Sequence, residues 1–297
     1  MHESVELTYP LIDPEIPVML QGATGRTGQI HLLKMKNYGA NMVAGVSPTA
    51  KSASIKNIPV FQSCKEAVSE TGAKASVIMV RPFEVLGAFN EATEAGCRFI
   101  IIVTEGVPVS DCVEISNLAR SRNVIWIGPS TPGIAIPGKL KLGFLPDVSL
   151  KSGPIGVMSK SGTLSYEIGY RLVQRELGQS LWVGVGGDTV KGMRFADLIP
   201  VFENDPQTDS VVLIGEVGGS EEEEFADAYK KAGATKPVKA IIAGGSTREG
   251  VTMGHAGALM HGNVGTIDSK RDALHSAGIP VYTKIHEIID AFVNDFK

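Results

Sequence analysis

The histidine at position 255 lies between two glycines in the stretch TMGHAGALMHGN, residues 252–263, which contains no charged side chain. A metal site is not indicated, because His261 is the only potential ligand nearby and no cysteine or carboxylate cluster accompanies the pair. The G-x-S-x-G pattern of a serine nucleophile is absent, and no cysteine stands in a nucleophile context. What remains for His255 is to act as the nucleophile itself, as a phosphohistidine does.

A phosphohistidine needs an orienting carboxylate and helix N-termini that neutralise the phosphoryl charge. In GVMSKSGTLSYEIGYRL, Ser159, Ser161, Gly162 and Thr163 form a small-residue turn between a predicted strand and a predicted helix. In VVLIGEVGGS, Glu216 ends a predicted strand, which is where open α/β sheets bind ligands. Serine and threonine are also ordinary helix caps, and a lone glutamate is usually solvated, so both structural alternatives stay open.

A third turn lies near the N-terminus, in VMLQGATGRTGQIHLLKM, with glycines at positions 22, 25 and 28. Glycine lets the backbone approach a phosphate closely, and the following helix supplies free amides. A tight strand–helix turn without any ligand has the same spacing.

An NAD site would require an acidic residue about 20 positions after this turn. No Asp or Glu occurs between Glu15 and Glu66, and Arg26, Lys51 and Lys56 make the neighbourhood basic. This favours a ligand with more phosphate than NAD, either NADP or coenzyme A. NADP would also need a hydride-acceptor pocket, which no part of the sequence suggests.

The elements that must position these residues alternate between apolar runs and helix-length segments. The runs are PVMLQ, NMVAGV, ASVIMV, RFIIIVT and VIWIG, then IGVMS, LWVGVG, SVVLIGEVGG, KAIIAGG and IPVYT. This alternation predicts an α/β protein with parallel sheets. A Pro- and Gly-rich stretch after Gly128 predicts a boundary between domains at 1–150 and 151–297. The charge run SEEEEFADAYKK predicts a solvated helix start.

The composition of the 297-residue chain bounds its function. Lys and Arg total 28 against 32 Asp and Glu, a net charge of −4, which argues against a nucleic-acid or membrane partner. Three scattered cysteines, Cys64, Cys97 and Cys112, predict neither disulfides nor a zinc site. No apolar run approaches the roughly 20 residues of a membrane span, and the acidic N-terminus is wrong for a targeting peptide. We expect a cytoplasmic enzyme.

Several motifs together resemble one family. GATGRTG, GVSP, VTEGVP, SKSGTLSYE, DPQTDSVVLIGEVGGSEEEE and MGHAGAL occur in this order, from about Ile16 to the C-terminus. The chain resembles the α subunits of succinyl-CoA synthetase, the ADP- or GDP-forming acid–thiol ligases. The resemblance implies a Rossmann-like CoA-binding domain followed by a flavodoxin-like domain. It also implies a β subunit with an ATP-grasp fold that binds ATP or GTP and Mg²⁺, in an αβ or (αβ)₂ assembly.

The resemblance further implies a role for individual residues. His255 would be phosphorylated and Glu216 would orient it, while Ser161, Gly162 and Thr163 would hold phosphate, with Tyr166 near the acid. The implied CoA contacts are Thr24, Gly25, Arg26, Thr27, Lys51, Val103, Thr104 and Glu105. Carboxylate, CoA and nucleoside triphosphate would be converted reversibly through an acyl phosphate. Succinate, a tricarboxylic acid cycle intermediate, is the expected acid, and no metal is expected on this chain.

The sequence departs from the family at four loops. The usual GPNCPG reads GPSTPG, with Ser130 and Thr131, and GGDPIPG reads GGDTVKG, which changes the Asp188–Gly192 loop. VTPGKGG reads VSPTAKSA around Lys51, and PAPF reads VRPF, which puts Arg81 near the expected adenine site. The alternatives are therefore a malate–CoA or other dicarboxylate–CoA ligase small subunit, a non-catalytic CoA-binding paralogue and, more distantly, an NADP oxidoreductase.

Overall fold

The computed structural model describes residues 7–50, 54–244 and 265–297. Within these residues the strands form two seven-stranded sheets. The first contains β1 Val18–Gln21, β2 Met42–Val46, β3 Ser54–Ile55, β4 Ile58–Phe61, β5 Ala75–Ile78, β6 Phe99–Ile102 and β7 Ile125–Ile127. The second contains β8 Gly133–Ile136, β9 Leu140–Gly143, β10 Ser152–Ser159, β11 Gln179–Gly184, β12 Ser210–Glu216, β13 Val238–Ala243 and β14 Val281–Tyr282.

Helices connect the parallel strands of both sheets. They are α1 Arg26–Tyr38, α2 Cys64–Thr71, α3 Val85–Glu94, α4 Val109–Arg122, α5 Gly162–Gln174, α6 Ile199–Asn204, α7 Glu221–Ala232, α8 Ile267–Ser276 and α9 Ile285–Asp295. Short 3₁₀ turns lie at Pro82–Glu84, Asp147–Ser149 and Phe195–Leu198. In the described parts of the chain, no helix is both long and apolar enough to cross a bilayer.

The first sheet has the strand order of a dinucleotide-binding fold. Its order is β3-β4-β2-β1-β5-β6-β7, and all pairs are parallel except the short β3–β4 pair at the edge. Without β3 this is the Rossmann order 3-2-1-4-5-6. β1, β5 and β6 are buried along their whole length, because helices cover both faces of a parallel sheet.

The second sheet has a different parallel core. Its order is β14-β13-β12-β10-β11-β8-β9, so the strands from β10 to β14 follow the flavodoxin-like order 2-1-3-4-5. The predicted fold class, a Rossmann-like domain followed by a flavodoxin-like one, is therefore confirmed. In such sheets the order reverses at one position, and the crevice there binds ligands. That position lies between β1 and β5 in the first sheet and between β10 and β12 in the second.

The Pro- and Gly-rich stretch after Gly128 does more than connect the sheets. It forms the antiparallel hairpin β8–β9, and β8 pairs with β11 through Ala135 and Trp182. The hairpin belongs to the second sheet although it precedes residue 150. The division of the chain at 150/151 stays a prediction.

Candidate active site

The crevices of both sheets open into one cavity of about 580 Å³. The first sheet contributes residues that follow β1, β5 and β6, and the second contributes residues that follow β10, β12 and β13. The lining residues are Thr27, Met79, Val80, Val103, Thr104, Glu105, Ser130, Thr131, Pro132, Phe144, Ser161, Gly162, Thr163, Tyr166, Glu216, Val217, Ala243 and Gly244.

The glycine turn after β1 is shaped by the absence of side chains. Gly22 has φ +85°, and a Cβ there would lie 2.4 Å from the carbonyl oxygen of Met79. A Cβ on Gly28 would lie 2.1 Å from the carbonyl oxygen of Gly22. Only glycine fits at these two positions, so the turn closes tightly and α1 begins at Arg26, with Gly25 as its N-cap.

A hydroxyl pair ties this turn to the end of β2. The Oγ1 of Thr24 lies 2.7 Å from the Oγ of Ser47. In an NAD-binding site this end of β2 would carry the acidic residue that binds the ribose. The serine here agrees with the prediction that the turn does not serve NAD. Gly25, Arg26 and Thr27 are exposed at the start of α1, where free amides point outward.

The ends of β5 and β6 form the next part of the wall. The Oγ1 of Thr104 donates to the carbonyl oxygen of Val80 at 2.8 Å, which fixes one strand end against the other. The backbone of Ser130 donates to the carbonyl oxygen of Thr104 at 3.0 Å. Val103 and Glu105 flank Thr104 in the cavity lining.

The turn after β10 is held by hydroxyls instead of by missing side chains. Ser161 is the N-cap of α5, and its Oγ accepts from the backbone N–H of Leu164 at 3.3 Å. The Oγ of Ser159 accepts from the N–H of Ser161 at 3.1 Å and donates to the carbonyl oxygen of Ser161 at 2.8 Å. Gly162 and Thr163, the first residues of α5, line the cavity, and an anion is favoured at such a helix start.

Tyr166 lies one turn into α5 and closes this side of the cavity. A Cβ on Gly162 would be 3.5 Å from the Tyr166 hydroxyl oxygen, so the phenol lies over the helix start. Burial raises the pKa of Tyr166, and the hydroxyl stays protonated as a hydrogen-bond donor at neutral pH.

The two residues that replace the family's Asn and Cys also line the cavity. Ser130 has a positive φ of 55°, a conformation that asparagine adopts more readily than serine. Thr131 is buried, donates its hydroxyl to the carbonyl oxygen of Gly184, and accepts from the N–H of Gly133 at 3.0 Å. Thr131 therefore anchors the inter-sheet segment to the end of β11.

Glu216 ends β12 at the crevice of the second sheet and is 7% exposed. Its backbone N–H donates to Oε1 of Glu222 at 3.1 Å. The next two residues make backbone hydrogen bonds to residues at or near the ends of the described segments 54–244 and 265–297. Val217 N–H donates to the carbonyl oxygen of Ala243 at 3.0 Å, and Gly218 N–H to that of Gly265 at 2.8 Å.

A buried ion cluster lies behind Glu216. Lys160, Lys191 and Lys270 supply the cations, and Glu221, Glu222 and Glu223 supply the carboxylates. Glu221 and Glu222 are 4% and 0% exposed, so the prediction of a solvated helix start was wrong for these two residues. The helix itself, α7, begins where the sequence predicts.

The pKa shifts in this cluster follow from its pairing. Burial alone would raise the pKa of Glu221, but Lys191 and Lys160 lower it to about 2. Burial likewise opposes the charge of Lys160, yet Glu222 and Glu221 raise its pKa overall. For Lys191 burial prevails and lowers the pKa, although the ammonium lies 2.7 Å from Glu221.

Lys191 is the lysine of the altered GGDTVKG loop. Its ammonium also donates to the carbonyl oxygen of Gly186 at 2.7 Å, so one side chain pins both the start of the loop and α7. The departure at Asp188–Gly192 thus has a structural counterpart in a buried lysine that pairs with Glu221.

Comparisons with known proteins agree with this arrangement. Residues 13–106 match the family model of a CoA binding domain, and residues 158–279 match that of CoA-ligase. The α subunit of ADP-forming succinate–CoA ligase from Aquifex aeolicus is 43% identical over 270 residues, which cover 90% of this chain and 88% of that one. α subunit 2 from Archaeoglobus fulgidus is 42% identical over 91% of this chain and 94% of its own.

The chain belongs to the succinate–CoA ligase α subunit family.

A solved structure supports the same fold. ATP citrate lyase from Methanothrix soehngenii, in complex with citrate and coenzyme A, superimposes with a TM-score of 0.85 at 24% identity. The match covers 97% of this chain, which spans about half (51%) of that lyase chain. At this identity the likeness concerns the fold alone.

The structure brings most of the predicted family site residues together. Those that line the shared cavity are Thr27, Val103, Thr104, Glu105, Ser161, Gly162, Thr163, Tyr166 and Glu216. Thr24, Gly25 and Arg26 belong to the adjoining glycine turn without lining it. His255 and Lys51 lie outside the described residues. Among the described residues, no cluster of His, Cys, Asp and Glu could hold a metal ion.

Sequence reasoning missed two kinds of residue. Pro132 and Phe144 line the cavity from the inter-sheet segment. Pro132 lies in the quoted GPSTPG stretch but was not predicted as a site residue, and no local motif singles out Phe144. The cluster around Glu222 was missed because its lysines come from three distant segments. The signal that could have found it is Lys191, a lysine at a position where the family has proline.

Proposed function

We propose that this chain is the catalytic α subunit of an ADP- or GDP-forming succinate–CoA ligase. It would act with a β subunit of ATP-grasp fold, which binds ATP or GTP and Mg²⁺, in an αβ or (αβ)₂ complex. The reaction couples carboxylate, CoA and nucleoside triphosphate to acyl-CoA, nucleoside diphosphate and phosphate. Succinate is the acid favoured by the names of the relatives.

The observation that carries this proposal is the shared cavity. The CoA-binding half contributes Val103, Thr104 and Glu105, and the ligase half contributes the start of α5 and Glu216. A thioester-forming enzyme must bring a CoA thiol and an activated acid to one point, and proximity of this kind contributes a large part of catalysis. The two crevices supply such a point.

Each wall has a distinct role in this proposal. The glycine turn and the exposed start of α1 hold CoA phosphates through backbone amides, with Arg26 and Lys51 adding charge. The amides at Ser161–Thr163 hold the phosphoryl group near the acid. Tyr166, protonated and half-buried, donates toward the acid.

His255 is the proposed phosphoryl carrier. Its imidazole accepts the terminal phosphoryl group as the nucleoside diphosphate leaves, and passes it to the carboxylate to give an acyl phosphate. The CoA thiol then attacks the acyl carbon, loses its proton and displaces phosphate. Glu216 would orient the imidazole and favour its charged form.

The position of the turn after β12 supports the pairing of Glu216 with His255. The segment that contains His255 begins after Gly244 and ends before Gly265. Both end points are hydrogen-bonded beside Glu216, through Val217 and Gly218. The described chain therefore ends and resumes within a few residues of hydrogen bonds made by the two residues that follow Glu216.

The test is a substrate screen of the chain co-expressed with a β-type subunit. Thioester formation is followed with succinate, malate, citrate and itaconate in the presence of CoA and ATP or GTP. We expect a strong preference for succinate. A preference for another acid would contradict the proposed substrate and direct attention to Ser130, Thr131 and the Asp188–Gly192 loop.

A labelling experiment tests the carrier. With γ-labelled nucleotide, the complex should acquire acid-labile, alkali-stable phosphate, and His255→Asn should abolish it while CoA binding persists. His261→Asn, in the same stretch, is the matched control and should retain the label. Labelling of the His255→Asn complex would overturn the proposed role.

A further inference from the structure

Lys270 is a fully buried lysine on α8, and its ammonium makes three polar contacts with other residues that the structure describes. It donates to the carbonyl oxygen of Gly219 at 2.9 Å, to Glu223 Oε2 at 3.1 Å, and to Glu222 Oε2. Gly219 lies three residues after Glu216. One side chain therefore ties α8 both to the turn after β12 and to the first turn of α7.

Glu222 carries this link to Glu216 itself. Its carboxylate accepts from the backbone N–H of Glu216 at 3.1 Å and from Lys160 at 3.0 Å, and also pairs with Lys270. A Cβ on Gly215 would lie 2.5 Å from Glu222 Oε1, so the carboxylate fits tightly against the strand end. The strand end has little freedom to move while Glu222 is held.

The start of α8 is fitted to the same turn. A Cβ on Gly265 would lie 2.8 Å from the carbonyl oxygen of Gly219, so the two backbones are in close contact. Ser269 donates to Glu223 at 2.8 Å beside Lys270. Gly265 is where the described chain resumes, and Lys270 lies one turn into the helix that follows.

Stability alone does not require charges here. An apolar cluster of similar volume is often as stable as a buried ion pair or more so, because each ion loses its hydration. What the ionic contacts add is direction, since a charged hydrogen bond fixes an oxygen and a nitrogen at a set distance. The groups fixed by Lys270 are those next to Glu216.

We propose that Lys270 is a positioning residue for Glu216, acting through Glu222 and the Gly219 carbonyl. The inference rests on the proposed phosphoryl transfer at Glu216 and goes beyond it. Lys270 does not line the cavity in which the acid and CoA are proposed to meet. Its loss would shift the carboxylate relative to the phosphoryl path.

The experiment compares Lys270→Met with Lys239→Met in the complex with the β subunit. Lys239 is also a buried lysine of this half, but it pairs with Asp295 and lies over the ring of Phe292, at the opposite end of β13 from Gly244. Three quantities are measured for each variant: the thermal midpoint, the CoA dissociation constant and the single-turnover rate of histidine phosphorylation.

We expect Lys270→Met to slow phosphorylation by about 10- to 100-fold, the cost of a small misplacement, with CoA binding unchanged. Lys239→Met should lower the thermal midpoint and leave the rate as in the unmodified complex. The milder Glu223→Gln removes the negative charge of one Lys270 partner and weakens the hold on the ammonium. It should slow the rate in the same sense, which keeps the test valid if Lys270→Met fails to fold.

A normal rate in Lys270→Met or, where that variant does not fold, in Glu223→Gln would overturn the inference. So would an equal rate loss in Lys239→Met, since a general loss of stability would then explain the effect. Neither of these results would contradict the proposed phosphorylation of His255. Failure of the unmodified complex to label would instead refute the proposed function and, with it, the inference.

Discussion

The two turns that flank the cavity solve one physical problem in different ways. The first, from Gly22 to Gly28, exposes amides by removing side chains, and two of its glycines admit no Cβ. The second, from Ser159 to Thr163, keeps its side chains and uses hydroxyls to hold the backbone. The first turn packs into the apolar core through Ala23. The second turn adjoins the buried ion cluster through Lys160, which pairs with Glu222.

This difference indicates different demands on the two sites. A turn that holds the phosphates of a cofactor needs only close approach and a positive helix end. A turn near a phosphoryl group in transfer must also fix a carboxylate such as Glu216 within a fraction of an ångström. Steric fit suffices for the first task, and directed hydrogen bonds serve the second.

The largest effect is expected for a methyl group in the glycine turn. Gly28→Ala should destabilise the chain by about 1–3 kcal/mol, as overpacking does, because its Cβ would overlap the Gly22 carbonyl. CoA affinity should fall at least about tenfold. Denaturant unfolding and calorimetric titration measure the two effects.

The control for this change is Gly87→Ala in α3, where a Cβ would meet no atom within 4 Å. Because alanine is the better helix former, this variant should gain up to about 1 kcal/mol. Equal behaviour of the two variants would show that the close approach at Gly28 is unimportant.

Acid should lower the free energy of unfolding through the ion cluster of the second half. The pKa of Glu221 is about 2 in the folded chain, below its ordinary value of 4.5, so the carboxylate binds protons more readily when unfolded. Its contribution to stability is present above pH 4.5 and is lost as the pH falls toward 2. The free energy of unfolding should decline there by up to about 1.4 kcal/mol per pH unit for this one group.

Glu221→Gln should reduce the pH dependence of the free energy of unfolding by about one proton. Unfolding free energies measured between pH 6 and pH 2 (about the range in which carboxylates titrate) test this. An unchanged slope in Glu221→Gln would contradict the role of the ion cluster.

A smaller effect on stability is expected for the serine cap of the second turn. Ser161→Ala should cost about 1 kcal/mol, because the N–H of Leu164 loses its acceptor. Ser63→Ala removes the cap of α2, where Ser63 accepts from Glu66, and should cost a similar amount. Only Ser161→Ala should also slow phosphorylation. Equal phosphorylation rates in both variants would show that Ser161 acts only as a helix cap.

The smallest effect is expected from thiol reagents. All three cysteines are buried, and burial raises the pKa of Cys97 to about 12 and of Cys112 to about 11. Iodoacetamide at neutral pH should leave the activity of this chain unchanged. Thr163→Cys, at an exposed position of the cavity lining, should make the activity sensitive to the reagent. Inactivation of the unmodified chain would contradict the burial of its thiols.

Local patterns were sufficient to predict most of the strands and helices and two of the turns in the crevices. The runs that became β1, β5, β6, β10 and β12 are nearly continuous apolar segments, as expected of strands covered on both faces. Glu216 and the Ser161 turn could be anticipated because ligands bind where parallel strands end. Which strands are neighbours was implied by the family resemblance and not by the patterns.

The missed features depend on contacts between distant segments. Four consecutive acids give the same pattern whether solvated or buried, and the burial of Glu222 depends on Lys160 and Lys270. The strands β8 and β9 lie in a Pro- and Gly-rich stretch with weak local preference. They form because β11 offers an open edge, which is a tertiary effect.

That hairpin has a practical consequence for dissecting the molecule. A fragment that starts at residue 151 would lack β8 and β9, so β11 would become an edge strand with unpaired amides beside Trp182. Exposed edges of this kind recruit other chains, and such a fragment should precipitate or form domain-swapped dimers. A fragment that begins at Gly128 would keep the hairpin and its pairing with β11, but it would lack α1, which packs against β9.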